Sequence, residues 1–413
     1  MITTVNLLSM ASVMKTVGGV LLAIVILLAM VTIHEFGHYL VGKWLGFKIN
    51  EFAVGFGPAI LKKRSKKTGE LFALRIIPLG GYCAFDGEDE GDEPEQEKPI
   101  EAEPFAEMTA DAEQTSVDAS VEEVAEYPEP KGARFNDQKP WKRILVLLAG
   151  ATMNYLLALF LIVVMFACFG RPVYQVVKKE APVTEEPTAV QTLTDEELPD
   201  TLQTGDVILK IDGKTMYMLT DYMDALDDKK AGETVDVLLV RNGEKQTVTL
   251  TLTADADIQN MSDTSTLLAA MGFTAGEGMM TTTVRENPFV LVGNSVMYSG
   301  KVGGSVLRSL GELLTGKLSI RSMGGPVTTI TVTAEAASNG IVSFLSIASF
   351  IGVNLAVFNL LPIPALDGSK VIFCLIEWIR KKPINRKVEA MIHFVGIIFL
   401  FGFAILVDVL QLF

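Results

Sequence analysis

The sequence predicts a polytopic α-helical membrane protein with four transmembrane helices, a membrane-associated β-hairpin and one small extracytoplasmic α+β domain. Of its 413 residues, 49% are hydrophobic, and the mean hydropathy is +0.36. This composition suits a protein that crosses a bilayer several times better than a soluble globule. Strand patterns and turn signals lie in the segments between the long apolar stretches, so we place the two β elements there.

Four apolar segments are long enough to cross a membrane, which takes about 20 apolar residues in a helix. They are residues 16–42, 144–170, 337–361 and 391–413. The first segment continues past the length of a cleavable signal core, and no small-residue cleavage site follows it. We therefore expect the first helix to remain in the mature protein.

Lysine and arginine residues concentrate in two of the connecting loops. They are Lys43, Lys48, Lys62, Lys63, Arg64, Lys66, Lys67, Lys139, Lys142 and Arg143 in the first loop, and Arg380, Lys381, Lys382, Arg386 and Lys387 between the third and fourth spans. Because positively charged loops stay on the cytoplasmic side, we expect these two loops to be cytoplasmic. The N-terminus, residues 171–336 and the C-terminus are then extracytoplasmic.

The net charge of −14 belongs to one segment rather than to the whole fold. Residues 86–130 contain 18 acidic residues and a single basic one, Lys98. The segment is rich in Glu and Pro and poor in aromatic residues, a composition typical of disorder. We predict a disordered, solvated insertion over residues 86–135.

We therefore predict eight segments along the chain. They are the first transmembrane helix (1–42), a cytoplasmic-side hairpin region (43–85), the acidic insertion (86–135), the second transmembrane helix (136–170), the small α+β domain (171–255), an extracytoplasmic amphipathic helical region (256–336), the third transmembrane helix with a broken segment (337–376), and a cytoplasmic loop with the fourth helix (377–413).

Both β elements are predicted from local patterns. "KINEFAVGFGPAILKK" and "GELFALRIIPLGGYCAF" are short apolar strands around a polar turn at residues 65–69, and they contain too many Gly and Pro residues to span a membrane. In the outer segment, "VDVLLVRNGEKQTVTLTLT" predicts a hairpin that turns at Asn242 and Gly243.

The stretch "TIHEFGHYLVG" places His34, Glu35 and His38 inside the first apolar span. Residues four apart share one face of a helix, so two imidazoles can reach one Zn²⁺ while the carboxylate takes a proton from water. The five-residue pattern arises by chance in about one chain in a hundred. Three ionisable groups within a membrane span are costly, however, and this context favours a metal site.

A catalytic zinc usually has three protein ligands, so one more donor is required. The candidates are His393, Asp367 and Asp408. Asp408 lies near the C-terminal end of the fourth span, and an interfacial histidine at the start of that span is unremarkable. Asp367 follows two prolines that must break the third helix, and broken backbone at membrane depth is tolerated where it lines a cavity. We therefore predict Asp367 as the third ligand.

"HEFGH" in the first span, "NLLPIPALDG" after the third, and "GDVILKIDG" in a PDZ-like domain between the second and third spans resemble the site-2 protease family of intramembrane zinc metalloproteases. The resemblance is strongest to the bacterial branch that acts in sigma-factor signalling. It implies that His34, His38 and Asp367 hold one Zn²⁺ per chain and that Glu35 is the catalytic base. It also implies that Asn354 and Asn359 bind the substrate backbone or the developing oxyanion.

The hairpin resembles the family element that pairs with an unwound substrate as an added strand. The resemblance assigns substrate binding to Gly55 and Gly57 in the first strand and to Arg75, Leu79, Gly80 and Gly81 in the second.

The sequence departs from the family pattern at two places. Many relatives continue "LDG" with Gly-His, whereas here Ser369 and Lys370 follow, and "DEELPDTL" replaces the small-residue segment that normally precedes "TGD", which puts binding of peptide carboxylates by the PDZ-like domain in question.

The resemblance implies a bacterial cytoplasmic-membrane protease that cleaves transmembrane segments of single-pass proteins. The expected partners are anti-sigma factors first trimmed by an upstream site-1 protease, signal-peptide remnants and the lipid bilayer; nucleic acid is not expected. An alternative is an inactive PDZ-bearing scaffold with a structural metal, although such a site needs a fourth protein ligand and none is evident nearby. A transporter is less favoured, because the spans show no internal repeat.

Overall fold

A computed structural model describes residues 10–88, 127–178, 202–256, 264–273 and 277–412. The predicted disorder of the acidic insertion falls mainly on residues 89–126, which lie outside the described residues, as does most of "DEELPDTL". The helices are α1 (Met10–Leu45), α2 (Pro140–Phe169), α3 (Leu219–Leu226), α4 (Thr264–Ala270), α5 (Pro288–Leu314), α6 (Pro326–Ser338), α7 (Ile341–Leu360), α8 (Asp367–Arg380) and α9 (Arg386–Leu412). The strands are β1 (Ile49–Arg64), β2 (Leu71–Phe85), β3 (Arg171–Lys178), β4 (Val207–Ile211), β5 (Lys214–Thr215), β6 (Thr234–Arg241), β7 (Glu244–Thr251) and β8 (Glu277–Val284).

Four of the described helices are long and apolar enough to cross a membrane, which confirms the predicted number. They are Val17–Leu45, Pro140–Phe169, Ile341–Leu360 and Arg386–Gln411. The third span begins later than expected, at Ile341 rather than at residue 337. The reason is Gly340, whose φ of +116° separates α6 from α7.

The chain divides into two compact units. Unit 1 comprises Met1–Ala23, Asn154–Val357 and Ala404–Phe413, and unit 2 comprises Ile24–Met153 and Phe358–Phe403. Four helices (α1, α2, α7 and α9) contribute residues to both units.

Unit 1 contains an antiparallel sheet in the order β7-β6-β4-β3-β8, with β5 paired to β4. Alternate residues of β6 are buried, as expected of a strand with one face on a core. Asn242 and Gly243 both adopt positive φ, +52° and +86°, in the tight turn that joins β6 to β7. This backbone conformation is the one that the Asn-Gly pair favours in two-residue hairpins.

The sheet extends further along the chain than predicted. The predicted end of the small domain at residue 255, followed by an amphipathic helical region over 256–336, is wrong for β8. β8 pairs with β3 along its full length, from Arg171 opposite Val284 to Lys178 opposite Glu277. The two strands are about one hundred residues apart in sequence, so no local pattern indicated the pairing.

Unit 2 contains β1 and β2, which pair antiparallel but are both bent. Residues 51–54 lie opposite both 71–74 and 81–84, and residues 61–64 lie opposite 71–74. The predicted hairpin is therefore a small sheet of four short segments. Gly55, Gly57 and Gly80, with φ of +87°, +81° and +109°, occupy the bends, where a side chain would be strained.

The sheet of unit 2 rests on an aromatic cluster. Phe47, Phe85 and Phe135 lie with ring centroids 5.4–5.6 Å apart and are almost fully buried, next to Val146 and Leu147 of α2. Burying such side chains contributes about 1.5–3 kcal/mol each. This cluster fixes the sheet against α2 within the unit.

A buried ion-pair network joins α2, α8 and α9 in the same unit. Glu377, which is 6% exposed, binds Arg143 at 2.5 Å through one carboxylate oxygen and Arg386 at 3.0 Å through the other. Glu377 also accepts the backbone N–H of Ile384 at 3.0 Å. One carboxylate thus pairs with the buried guanidinium group of Arg143 and with that of half-buried Arg386, which also binds Glu389 at 2.7 Å.

The segment between α7 and α8 is broken where the two prolines predict it. α7 ends at Leu360, and α8 begins at Asp367. Gly368 lies so close to the carbonyls of Leu360 and Leu361 that a Cβ atom there would collide with them. This close approach requires glycine and sets Asp367 at the first turn of α8.

Candidate metal centre

Three side chains of unit 2 meet at one point. The Nε2 atoms of His34 and His38 are 3.2 Å apart, and the Oδ2 atom of Asp367 lies 3.1 Å from the first and 3.3 Å from the second. Both histidines are buried, with only 9% and 7% of their surface exposed to solvent. The four-residue spacing on α1 places the two rings on one face, edge to face with an interplanar angle of 83°, and the helix break brings the carboxylate to them.

The residues present fit a zinc ion. Tetrahedral zinc with bonds of about 2.0–2.1 Å keeps its ligand atoms about 3.3–3.4 Å apart, close to the separations found here. The buried Oδ2 of Asp367 has no hydrogen-bond partner within the described part of the chain. An anionic oxygen buried against two imidazole nitrogens is costly unless a cation lies between them. Within the described residues, His34, His38 and Asp367 form a group whose ligand atoms are close enough together to hold one metal ion.

The orientation of His38 is set by α2. Its Nδ1 atom lies 2.8 Å from the carbonyl oxygen of Val146, so Nδ1 carries the proton and donates it. The lone pair then lies on Nε2, the atom that faces His34 and Asp367. A hydrogen bond of this kind fixes the tautomer and ring orientation of a metal-binding histidine.

α2 approaches the histidines closely because it has small residues at that level. A Cβ atom at Gly150 would collide with ring atoms of both His34 and His38, and one at Gly37 of α1 would lie 2.5 Å from the Ala149 carbonyl oxygen. Sequence reasoning missed Gly150 and Val146. The run "LAGATMN" in the second span was the available signal, since small residues in transmembrane helices mark close helix contacts.

Glu35 lies next to His34 on α1, beside the three clustered side chains and against the small sheet. It is half-buried on α1, and a Cβ atom at Gly81 of β2 would be only 3.3 Å from its Cγ. The segment 81–84 therefore passes directly beside this carboxylate. Of the residues predicted to bind substrate, Gly81 lies beside Glu35 in the structure.

Arg75 acts within the sheet. Its guanidinium donates to the Gly57 carbonyl at 2.7 Å, to Glu51 at 2.6 Å and to the Tyr82 hydroxyl at 2.6 Å. These bonds tie the segments of β1 and β2 together. Gly55, Gly57 and Gly80 form the bends of the same sheet, and the side chain of Leu79 lies outside the described residues.

The two asparagines of α7 belong to different units. Asn354 is in unit 1, where its side chain donates to the Phe350 carbonyl of its own helix at 3.0 Å. Asn359 is in unit 2, half-buried one residue before α7 ends. Their predicted substrate contacts stay predictions.

The other two candidate ligands have partners elsewhere. Asp408 accepts the backbone N–H groups of Val327 at 3.1 Å and Thr328 at 3.4 Å, and so caps the N-terminus of α6. His393 accepts the backbone N–H of Ala365 at 3.1 Å. Neither belongs to the cluster that contains His34.

The two residues that follow "LDG", Ser369 and Lys370, also have defined contacts. The Ser369 hydroxyl donates to the Leu366 carbonyl at 2.7 Å, within the first turn of α8. Lys370 forms an ion pair with Glu88 at 2.7 Å. Both leave the ligand atoms of Asp367 untouched.

Four apolar helices and a buried His-His-Asp site beside a carboxylate are typical of metal-dependent hydrolases that work within a membrane. Comparisons with known proteins agree. The model of peptidase family M50 matches residues 22–403. The regulator of sigma-W protease RasP from Bacillus subtilis is 29% identical, with 93% of this chain and 96% of that protein covered.

Two further relatives carry a similar name. The zinc metalloprotease RasP from Bacillus licheniformis is 28% identical (90% of this chain, 93% of the relative), and that from Geobacillus kaustophilus is 26% identical (92% and 94%). A solved PDZ domain of an SdrC-like protein from Listeria monocytogenes is 23% identical over 20% of this chain and 73% of that one, with a TM-score of 0.15. The chain belongs to peptidase family M50, the site-2 proteases, and is an integral-membrane zinc metalloprotease.

Proposed function

We propose that His34, His38 and Asp367 hold a single zinc ion per chain and that Glu35 is the catalytic base for cleaving transmembrane segments of single-pass membrane proteins. The observation that carries this proposal is the triangle of ligand atoms 3.1–3.3 Å apart, with Glu35 on the next position of the same helix. A catalytic zinc site leaves its fourth position open for water, which suits three ligands.

The protein residues have separate roles in this mechanism. When bound, zinc supplies polarisation of a carbonyl group and activation of a water molecule. Glu35 accepts a proton from the attacking water and delivers it to the leaving amide nitrogen. His38, held by Val146, keeps its lone pair directed at the ion, and Asn354 and Asn359 bind the substrate backbone or the developing oxyanion.

A transmembrane substrate must be unwound before it can be cleaved, because its amides are hydrogen-bonded within its own helix. The segment 81–84 offers a strand edge for this purpose. It pairs with residues 51–54 on one side, and Gly81 lies beside Glu35. Addition of the unwound substrate as a strand replaces the helical hydrogen bonds that it loses. Gly55, Gly57 and Gly80 form the bends of this sheet, and Arg75 braces it. Substrate binding by these residues and by Leu79 belongs to the same proposal.

The substrates we propose are anti-sigma factors already trimmed by a site-1 protease, with signal-peptide remnants as a second group. The name of the B. subtilis relative, a regulator of sigma-W protease, supports the first. The sheet domain of unit 1 lies outside the cytoplasm in this proposal and excludes substrates whose outer domain has not been removed. The loop cations support a metal centre near the cytoplasmic side of a bacterial cytoplasmic membrane.

The test compares purified protein with Glu35→Gln on a single-pass substrate, with and without a zinc chelator. We expect one equivalent of zinc in both proteins, cleavage by the wild type alone, and loss of cleavage on chelation. An inactive scaffold with a structural metal predicts no cleavage by either protein. Cleavage by Glu35→Gln at the wild-type rate would remove Glu35 from the mechanism, and retention of zinc by Asp367→Ala would remove Asp367 from the site.

A further inference from the structure

Helix α9 contacts the segment that carries Asp367 at two neighbouring points. His393 accepts the backbone N–H of Ala365 through Nδ1 at 3.1 Å. One helical turn further along α9, a Cβ atom at Gly396 would collide with Pro364. The two contacts therefore fall two and three residues before Asp367, on one face of α9.

Ala365 has an unusual backbone conformation. Its φ is +78°, in the left-handed region that residues other than glycine rarely adopt. Such a conformation persists only where the surroundings enforce it, and it often occurs at functional sites. Its N–H has lost any helical partner, because α7 has ended and α8 has not begun. At membrane depth an unpaired amide is costly, and His393 supplies the acceptor.

His393 is itself fixed in place. Its ring lies 5.7 Å from the ring of Phe373 on α8, with an interplanar angle of 75°, an edge-to-face arrangement. To accept a hydrogen bond at Nδ1, the neutral ring must carry its proton on Nε2. The imidazole therefore joins α9, the broken segment and α8.

We infer that His393 is a positioning residue of the metal centre, which holds Ala365, and through it Asp367, so that Oδ2 faces the two imidazoles of α1. Gly396 permits the close approach of α9 that this requires. The inference rests on the proposed zinc site. The sequence alone indicates no more than an interfacial histidine at position 393, so this role comes from the structure.

Two substitutions at His393 distinguish the role of its hydrogen-bond acceptor from that of its aromatic ring. His393→Asn keeps an acceptor oxygen close to the position of Nδ1 but loses the ring, whereas His393→Phe keeps the contact with Phe373 but loses the acceptor. Val395→Ala, on an exposed neighbouring position of α9, is the matched control. All are made in the full-length protein. Zinc affinity is measured by competition with a chromophoric chelator, and the site is observed through the visible spectrum of the Co²⁺-substituted protein.

We expect His393→Phe to bind zinc about 10–100-fold more weakly, as is usual when a residue that orients a ligand is lost. Its cobalt spectrum should change and its kcat should fall with little change in KM, while His393→Asn and Val395→Ala stay close to wild type. Wild-type zinc affinity and spectrum for His393→Phe would overturn the inference, as would equal defects in the Phe and Asn variants. Asp367→Ala separates the two proposals: if it retains zinc, the metal site itself is wrong, and if it alone loses zinc, only the role of His393 is wrong.

Discussion

The Nδ1 atom of His38 lies 2.8 Å from the carbonyl oxygen of Val146, a residue 108 positions further along the chain on a different helix. The second transmembrane helix thus orients a side chain of the candidate metal centre. It does so through one backbone carbonyl, which no substitution of the Val146 side chain would remove. Gly150, one helical turn further along α2, gives a better test of this helix contact.

Gly150→Ala should lower zinc content and activity together, because the added methyl group would collide with the rings of both histidines. We expect zinc affinity to fall about 10–100-fold. The measurement is metal content after dialysis against a buffered zinc solution. Gly18→Ala is the control, since a Cβ atom there meets nothing within 4 Å. Full zinc occupancy in Gly150→Ala would show that α2 does not pack against the site in this way.

Glu377→Gln should destabilise unit 2, because it leaves the buried guanidinium group of Arg143 without a carboxylate partner and removes one of the two carboxylates that bind Arg386. Breaking a buried ion pair by removing one partner costs about 3–5 kcal/mol. Thermal unfolding in detergent measures the effect. Asp255→Asn is the comparison, since Lys230 and Asp255 are 3.9 Å apart and 63% and 58% exposed, and such a pair contributes at most about 1 kcal/mol. Equal shifts in Tm for the two variants would contradict the prediction.

A proline at Gly81 should reduce cleavage of a strongly helical substrate more than that of a substrate whose helix is weakened by Gly and Pro. Proline removes an N–H group and disturbs the strand edge beside Glu35, so the substrate that most needs an added strand loses most. The measurement is the ratio of the two kcat/KM values. Lys62→Pro alters the opposite edge of the same sheet and should leave this ratio unchanged. An equal loss for both substrates in Gly81→Pro would argue against strand addition.

Removal of the sheet domain should release cleavage of substrates that retain their outer domain. The structure defines how to remove it: Arg171 and Val284 are paired neighbours on β3 and β8, so residues 172–283 can be replaced by a short linker. A deletion that stops at residue 254 would leave β8 without its partner strand. Cleavage of trimmed and untrimmed substrate is compared on gels. If the shortened protein still cleaves only trimmed substrate, the domain does not act as a size filter.

Much of the site could be predicted because its signals are local. The spacing of His34 and His38 fixes their common helix face, and two prolines fix the end of α7. The strand β8, the bends of the small sheet and the brace formed by Arg75 were not predicted. Each depends on a pairing between segments that are distant in sequence or on a bend whose partner is not local, and hydrophobic periodicity carries no information on such partners.

Local sequence patterns are enough to locate the four membrane spans, the helix face that carries the two histidines, and the break that precedes Asp367. These follow from apolar run length, helical periodicity and the missing N–H of proline, which act within a few residues. The helix break also favours Asp367 over His393 and Asp408, and the structure brings Asp367 to the histidines as predicted. That Gly150 makes room for their rings and that Val146 orients one of them is evident only from the packed structure. Those outcomes depend on how helices pack against one another, and packing is set by shape complementarity between surfaces that the chain brings together from far apart.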